Sequence, residues 1–376
     1  MGGSQSLLSA PVSWGQSWNR RHYHPSIATG HTALSPKLVS SGDSEAKAKR
    51  QRQHARARQS RQEELQVEEQ QDGEGVVVEN TPQEVEEEVD VEDSDMDPAQ
   101  EDVVCAMDDV AVAMLKGKRV IITGASSGIG EQMAYHLAKM GSHVLITART
   151  EERLKKVVEK CIKLGSSSAY YIPGSMDNMT FAKQVVHEAQ RLFGGLDMLI
   201  LNHIGYTYFD FFNGDVDHVR ELLEINFLSY ATMTVEALPM LKASGGNIVV
   251  VSSFAGKVGL PLTVPYSTTK FALDGFFSSL RMEFKHQNVN VSITLCVISY
   301  IDTDSAVNTV SHVIQQPAAP KEECAFEIIK GGALRQREVY YQYHATKIPM
   351  LLRDWAPELL EYLVLKNYDV NALKKE

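Results

Sequence analysis

From Gly117 onward the chain alternates short apolar runs with stretches of helical periodicity, and this alternation restricts its fold more than any other feature. Arg119–Thr123, His143–Ala148, Ala169–Ile172, Met198–Asn202, Asn247–Ser252 and Asn290–Cys296 are rich in Val and Ile and apolar on both faces. A strand with two apolar faces has to be covered on both sides, which is the condition of a parallel sheet. Between these runs, Glu131–Met140, Glu151–Leu164, Thr180–Phe193, Val216–Met240 and Pro265–His286 carry apolar residues at helical spacing, the fourth being long enough for one or two helices. Strand, helix, strand repeated in this way predicts an α/β sheet with right-handed crossovers.

The first third has a different character. Residues 1–116 hold 11 basic and 22 acidic side chains, whereas the rest of the chain is balanced, so the net charge of −11 sits in that third. No excess of Lys and Arg exists to neutralise phosphates, which excludes a uniformly basic nucleic-acid binder. A basic run, Lys47–Arg61, is followed by an acidic one, Glu63–Asp97, and reads as a solvated stretch offset by its neighbour, with a localisation or nucleic-acid patch as the alternative. A segment this charged and this poor in aromatics cannot bury enough surface to offset chain entropy. Residues 1–110 are therefore expected to form a disordered charged tail. The domain is expected at 111–341, with an apolar helical extension at 342–376.

Four cysteines, Cys105, Cys161, Cys296 and Cys324, show no metal-ligand spacing and read as small buried hydrophobes, so no metal is expected. No run approaches the ~18–20 apolar residues of a membrane span. The N-terminus has no charged head and apolar stretch of the kind a signal peptide shows.

Arg119–Thr123 runs into Gly124, Ala125, Ser126, Ser127, Gly128, Ile129 and Gly130, and a helix follows. Glycines serve where backbone approaches a ligand closely or takes positive φ. A helix N-terminus in such a turn offers free N–H groups to a pyrophosphate, although a tight turn without ligand has the same glycines. After the second strand, where an acidic residue would bind a ribose 2′-OH, the chain has Arg149 and Thr150. With Ser126 and Ser127, this cation suits a 2′-phosphate, so NADP(H) is the expected cofactor; a plain surface arginine is the alternative.

Tyr266 and Lys270 stand four residues apart, on one face of a helix. A free phenol titrates near ~10, and a neighbouring ammonium is expected to draw it down toward working range. Thirteen positions before Tyr266, Ser253 follows a strand, at the sheet edge where such folds hold ligands, and could orient a carbonyl for hydride addition. Alone, the Tyr/Lys pair could be a solvated helix face.

These motifs, TGxxxGxG at Thr123–Gly130 and YxxxK at Tyr266–Lys270, with Ser253 and with Asn226 in Glu224–Leu228, resemble the short-chain dehydrogenase/reductase family. Met133–Gly141, Gly194–Ile204, Tyr266–Ser279, Asn290–Val297, Ala318–Cys324 and Glu327–Gln336 are similar to its 11-beta-hydroxysteroid dehydrogenase branch, in which Asn202-His203-Ile204 replaces the commoner NNAG. The resemblance runs from Leu115 to Tyr341 and leaves out residues 1–110. It implies a Rossmann-type doubly wound fold and a homodimer that interconverts 11-keto and 11-beta-hydroxy steroids with NADP(H). Tyr266 is then the general acid, Lys270 binds the ribose, Ser253 positions the carbonyl, and Asn226 holds a water in a proton relay. Ser175, Met176, Asn202, His203, Ile204, Ile301, Thr303 and Ser305 are then expected to line the cofactor. Leu260, with Ser253 and Tyr266, is expected to face the substrate.

Three positions depart from that branch. Ser127 and Leu260 stand where it has a lysine and a tyrosine, and Ser299 stands where a glycine is expected, so that its side chain could crowd the nicotinamide. Leu260 and Ser299 keep open action on another steroid position or a non-steroid carbonyl; a further alternative is a nucleotide-responsive binding protein in which the charged tail recruits a partner and catalysis is weak. The apolar stretch Ile348–Leu365 also leaves two readings, a helix touching a membrane or a second copy near the substrate entrance, or a helix docked on its own core. Asn178-Met-Thr180 and Asn290-Val-Ser292 match the N-glycosylation pattern. The resemblance implies the lumen of the endoplasmic reticulum; the N-terminus as written fits the cytoplasm or secretion as well.

Overall fold

Seven parallel strands form one sheet in the computed structural model, which describes residues 98–369. They are β1 (Arg119–Thr123), β2 (His143–Ala148), β3 (Ser168–Pro173), β4 (Met198–Leu201), β5 (Asn247–Val251), β6 (Ser292–Val297) and β7 (Glu338–Tyr340). Their order is β3-β2-β1-β4-β5-β6-β7. The chain winds outward from β1 to β3, returns to place β4 on the other side of β1, and winds outward again. The crevice above the carboxyl ends of β1 and β4 is therefore the switch point where doubly wound sheets hold ligands.

The helices are α1 (Pro98–Leu115), α2 (Gly128–Lys139), α3 (Glu151–Lys163), α4 (Met179–Phe193), α5 (Val216–Leu223), α6 (Ser229–Ser244), α7 (Val264–His286), α8 (Asp304–Val310), α9 (Lys321–Ala333), α10 (Tyr343–Trp355) and α11 (Pro357–Lys366). Side chains alternate across a strand, so β1 serves two cores. Val120 and Ile122 join Met133 and Leu137 of α2, Leu154 of α3 and Ile328 of α9. Ile121 faces the other way, into a cluster with Val185 of α4, Met233 of α6 and Phe277 of α7. The doubly covered sheet expected from the apolar runs is present.

Four features differ from the reading of the sequence or complete it. The expected tail lies outside the described residues up to position 97, and its assumed end at 110 falls inside α1. The last turns of α1 bury Ala111 and Leu115 in the first core, and Asp108 pairs with Lys330 of α9 at 2.9 Å. The long segment after β4 is two helices, α5 and α6, joined by a π-helical turn at Glu224–Leu228. Strand β7 went unrecognised because three residues with only Val339 buried carry no periodicity. The apolar C-terminal stretch is two helices, since Pro357 has no N–H to continue α10 and instead opens α11. Among the described residues, no helix is long and apolar enough to cross a membrane.

At the edge of the sheet opposite the crevice, Asp197 fastens β1 to β4. Its carboxylate accepts from the Arg119 Nε at 2.7 Å, the Arg119 Nη2 at 3.0 Å and the Arg119 backbone N–H at 2.9 Å. These bonds hold the Asp197 carboxyl below the usual carboxylate range against the opposing effect of burial. A depressed carboxylate stabilises the fold above its unfolded pKa, near ~4, and loses that contribution as pH falls further. Asp197→Ala should lower stability by about 2–3 kcal/mol at neutral pH, with the difference from the parent protein shrinking toward pH ~3, as read by urea denaturation.

Candidate active site

At the switch point, β1 ends in a turn whose glycines are required by contact with β4. Gly124 and Gly128 have φ of 65° and 58°, in the left-handed region. A Cβ on Gly130 would lie 2.2 Å from the Gly124 carbonyl oxygen and 2.7 Å from Asn202 Nδ2. Asn202 follows β4, and its Nδ2 donates to the carbonyls of Thr123 and Gly124 at 3.2 Å each. Helix α2 starts here with Ile129 and Gly130 buried, and the Ser127 side chain does not cap it. Its first N–H groups are thus left for an anion, and Ser126 and Ser127 are partly exposed beside them. These features fit the pyrophosphate of a dinucleotide.

Other expected cofactor residues surround this turn. Arg149 and Thr150 are exposed at the end of β2, with no carboxylate between β2 and α3. Thr303 lies over the turn, since a Cβ on Gly128 would meet its Cγ2 at 2.9 Å. Thr303 Oγ1 accepts from the Ala306 N–H and caps α8, on which Ser305 is exposed. Ile301 is buried beneath, in the first core. Ser175 is partly exposed, while Met176 is buried in the second core and presents little surface to a ligand. Ile204 is exposed, but the His203 side chain turns into the protein, 7% exposed, and does not line the crevice as expected. Its bonds to Thr123 and Ser229 account for that orientation.

The four expected catalytic residues converge beside the turn. Ser253 follows β5, its Oγ accepts from the Ala255 N–H at 3.2 Å, and it stands near enough to the Tyr266 phenol to lower its pKa. Helix α7 presents Tyr266 and, one turn on, Lys270, whose Nζ lies 5.6 Å from the Tyr266 ring centroid. Asn226 is fully buried in the π-helical turn. Its Nδ2 donates to Thr269 Oγ1 at 3.3 Å, and that hydroxyl donates to the Tyr266 carbonyl at 2.8 Å.

The electrostatics correct one expectation. Burial is the largest influence on Tyr266 and raises its pKa, while Ser253 draws it partly back. The Lys270 ammonium, whose Nζ donates to the Val251 carbonyl at 2.9 Å, does not draw the phenol down as expected. Burial also pushes Lys270 down to about 8. The phenol is therefore protonated at neutral pH, the form that can give a proton to a carbonyl oxygen.

Leu260 lies on the loop after Ser253. With Val258 and Pro261 it faces Arg353, Leu360 and Val364 of the C-terminal helices across a cavity of about 410 Å³. Leu360 is buried, which meets the docked reading of this stretch on one edge of α11, while Trp355 and Tyr362 remain exposed. Ser299 turns its hydroxyl to Gln342 Oε1, 2.9 Å away. Phe209 was missed: its ring centroid is 6.4 Å from that of Tyr266. The signal was the aromatic run Tyr206, Tyr208, Phe209, Phe211 and Phe212 directly after Asn202-His203-Ile204. Among the described residues, no His/Cys/Asp/Glu group could hold a metal, and Cys161, Cys296 and Cys324 are buried and free.

Residues 118–313 match the short chain dehydrogenase family. Hydroxysteroid 11-beta-dehydrogenase 1-like protein A of Xenopus laevis is 49% identical over 247 residues, 65% of this chain and 85% of that protein. The hydroxysteroid 11-beta-dehydrogenase 1-like protein of Danio rerio is 49% identical over 257 residues, 68% of this chain and 89% of the relative. A short chain dehydrogenase from Burkholderia cenocepacia J2315, solved in complex with NADP, is similar in structure with a TM-score of 0.53 at 25% identity, covering 60% of this chain and 96% of that one. The glycine turn, the Tyr266/Lys270 helix and the extent of these matches lead to one conclusion: the chain belongs to the short chain dehydrogenase family and is related to the hydroxysteroid 11-beta-dehydrogenase 1-like proteins.

Proposed function

We propose that the protein is an NADP(H)-dependent oxidoreductase that interconverts an 11-keto and an 11-beta-hydroxy group on a steroid. The observation that carries this reading is the convergence of Asn226, Ser253, Tyr266 and Lys270 beside the uncapped glycine turn. Relatives named as hydroxysteroid 11-beta-dehydrogenase 1-like support the substrate, and the neighbour solved with NADP supports the cofactor, as does the exposed Arg149.

The N-terminus of α2 would take the pyrophosphate, Arg149 the 2′-phosphate, and Lys270 the ribose hydroxyls. When bound, the nicotinamide supplies or accepts the hydride. Ser253 donates to the substrate carbonyl and fixes its orientation. Tyr266 gives its proton to the same oxygen as charge develops there, and Asn226 holds the water through which that proton is replaced. The raised phenol pKa keeps Tyr266 in the acid form that reduction uses, and the ratio of NADPH to NADP sets the net direction. Leu260 and Phe209 support a second reading, in which the substrate is another flat apolar carbonyl compound; a panel of ketones with NADPH separates the two.

Three outcomes test the proposal. Tyr266→Phe should lower turnover of cortisone with NADPH by at least about a thousandfold while leaving NADPH binding intact, as read by product assay and cofactor fluorescence. Absence of turnover of any ketosteroid by folded parent protein would contradict the reading. Lys270 is charged below its pKa of about 8 and neutral above it. The kcat/KM for NADPH should therefore be level below that pH and fall tenfold per unit above it. Lys270→Arg, whose charge does not titrate in this range, should lack the fall whatever its absolute rate. Arg149→Ala should raise KM for NADPH by about tenfold or more and leave that for NADH unchanged.

A further inference from the structure

We infer that His203 is a positioning residue that clamps the π-helical turn carrying Asn226, and so sets where Asn226 stands relative to Tyr266. This rests on the reading of Asn226 given above and adds a second role for the Asn202-His203-Ile204 sequence after β4. Three successive residues there go three ways. Asn202 binds the glycine turn, Ile204 is exposed, and the His203 imidazole is enclosed.

Both ring nitrogens are engaged. Nδ1 is 2.8 Å from Thr123 Oγ1, and Nε2 is 3.0 Å from the Ile225 carbonyl oxygen and 2.7 Å from Ser229 Oγ. The Ile225 carbonyl can only accept, so the proton belongs on Nε2. Thr123 Oγ1 already accepts the N–H groups of Asn202 and His203, at 2.8 and 3.2 Å, and its own proton is shared between Nδ1 at 2.8 Å and the Ile200 carbonyl at 3.3 Å. The Nε2-protonated neutral tautomer thus engages both ring nitrogens. Burial favours that neutral form, pushing His203 down to about 3. Tyr230 closes the opposite side, with ring centroids 4.5 Å apart and its hydroxyl donating to the His203 carbonyl at 2.6 Å.

The clamped turn is the one that needs support. In it the Ser229 N–H bonds the Glu224 carbonyl, five residues back, where an α-helix would bond four back. The additional residue rotates everything on one side of it by about 100° relative to a continuous α-helix. Through this register Asn226 reaches inward, its Oδ1 accepting the Gly205 N–H at 2.7 Å and its Nδ2 reaching Thr269. Without the Nε2 donor, the Ile225 carbonyl keeps only Ser229 Oγ, and relaxation toward α-helical register would carry Asn226 away from α7.

The test uses the full chain and two substitutions that divide the imidazole. His203→Gln places an amide N–H near the Nε2 position and can reach Ile225, whereas His203→Asn reaches Thr123 only. With a ketosteroid and saturating NADPH, His203→Asn should lose about tenfold or more in kcat, with KM for NADPH within about twofold, and His203→Gln should recover to within about threefold of the parent. Hydrogen exchange over residues 224–230 should be faster in His203→Asn and protected again in His203→Gln. Equal loss in both variants, a loss confined to KM for NADPH, or unchanged exchange in His203→Asn would overturn the clamp. Exchange that follows this pattern in a protein inactive on every ketosteroid would instead overturn the functional reading and leave the clamp standing. In the unmodified protein, whatever the variants' stability, nitrogen NMR should show a buried imidazole protonated at Nε2 and unchanged between about pH 5 and 8. A proton on Nδ1, or titration in that range, would overturn the proposal.

Discussion

The close approach of the glycine turn to the end of β4 is the constraint on which the remaining structure depends. Asn202 Nδ2 reaches the carbonyls of Thr123 and Gly124, and it can do so only because Gly130 has no side chain at that point. This contact joins the two halves of the sheet at their switch point. It also sets how α2 begins, and therefore where the free N–H groups point. The same joint delivers His203 and Gly205 to the turn that carries Asn226. Cofactor site and catalytic centre are consequently two sides of one piece of backbone.

The chemistry of the site rests on burial as much as on charge. Lys270 is enclosed and its Nζ donates to the Val251 carbonyl, so its ammonium is held at a cost and titrates low. Tyr266 is partly buried and titrates high. The two groups are moved apart on the pH scale, and a bound ketone would meet a neutral phenol and a cation within one helical turn. Pairs of groups whose surroundings shift them in opposite directions are a recurring way of dividing acid and electrostatic roles.

Much of this was legible in local sequence. The apolar runs showed six of the seven strands because strands buried on both faces admit little else. The glycine turn and the Tyr266/Lys270 spacing were legible because each is fixed within one turn or one helix. What was not legible depends on distant partners. The register of the π-helical turn is fixed by His203, 22 residues from Ile225, and nothing within Glu224–Leu228 announces it. The hold of Val251 on Lys270 comes from a neighbouring strand, and the burial that reversed the expected direction for the phenol comes from the packed tertiary structure. Strand β7 exists only by pairing with β6. The break at Pro357 was visible as a residue, and only the rule for proline at a helix start was needed to place it.

As proposed above, this site moves a hydride between a nicotinamide and carbon 11 of a steroid. Incubation of the folded protein with cortisone and NADPH deuterated at both C4 positions, followed by mass spectrometry and NMR of the product, tests it most directly. The expected product carries one deuterium at carbon 11 on the alpha face, opposite a newly formed 11-beta hydroxyl. Unlabelled product, label at another carbon, or no product from protein that binds NADPH would contradict it.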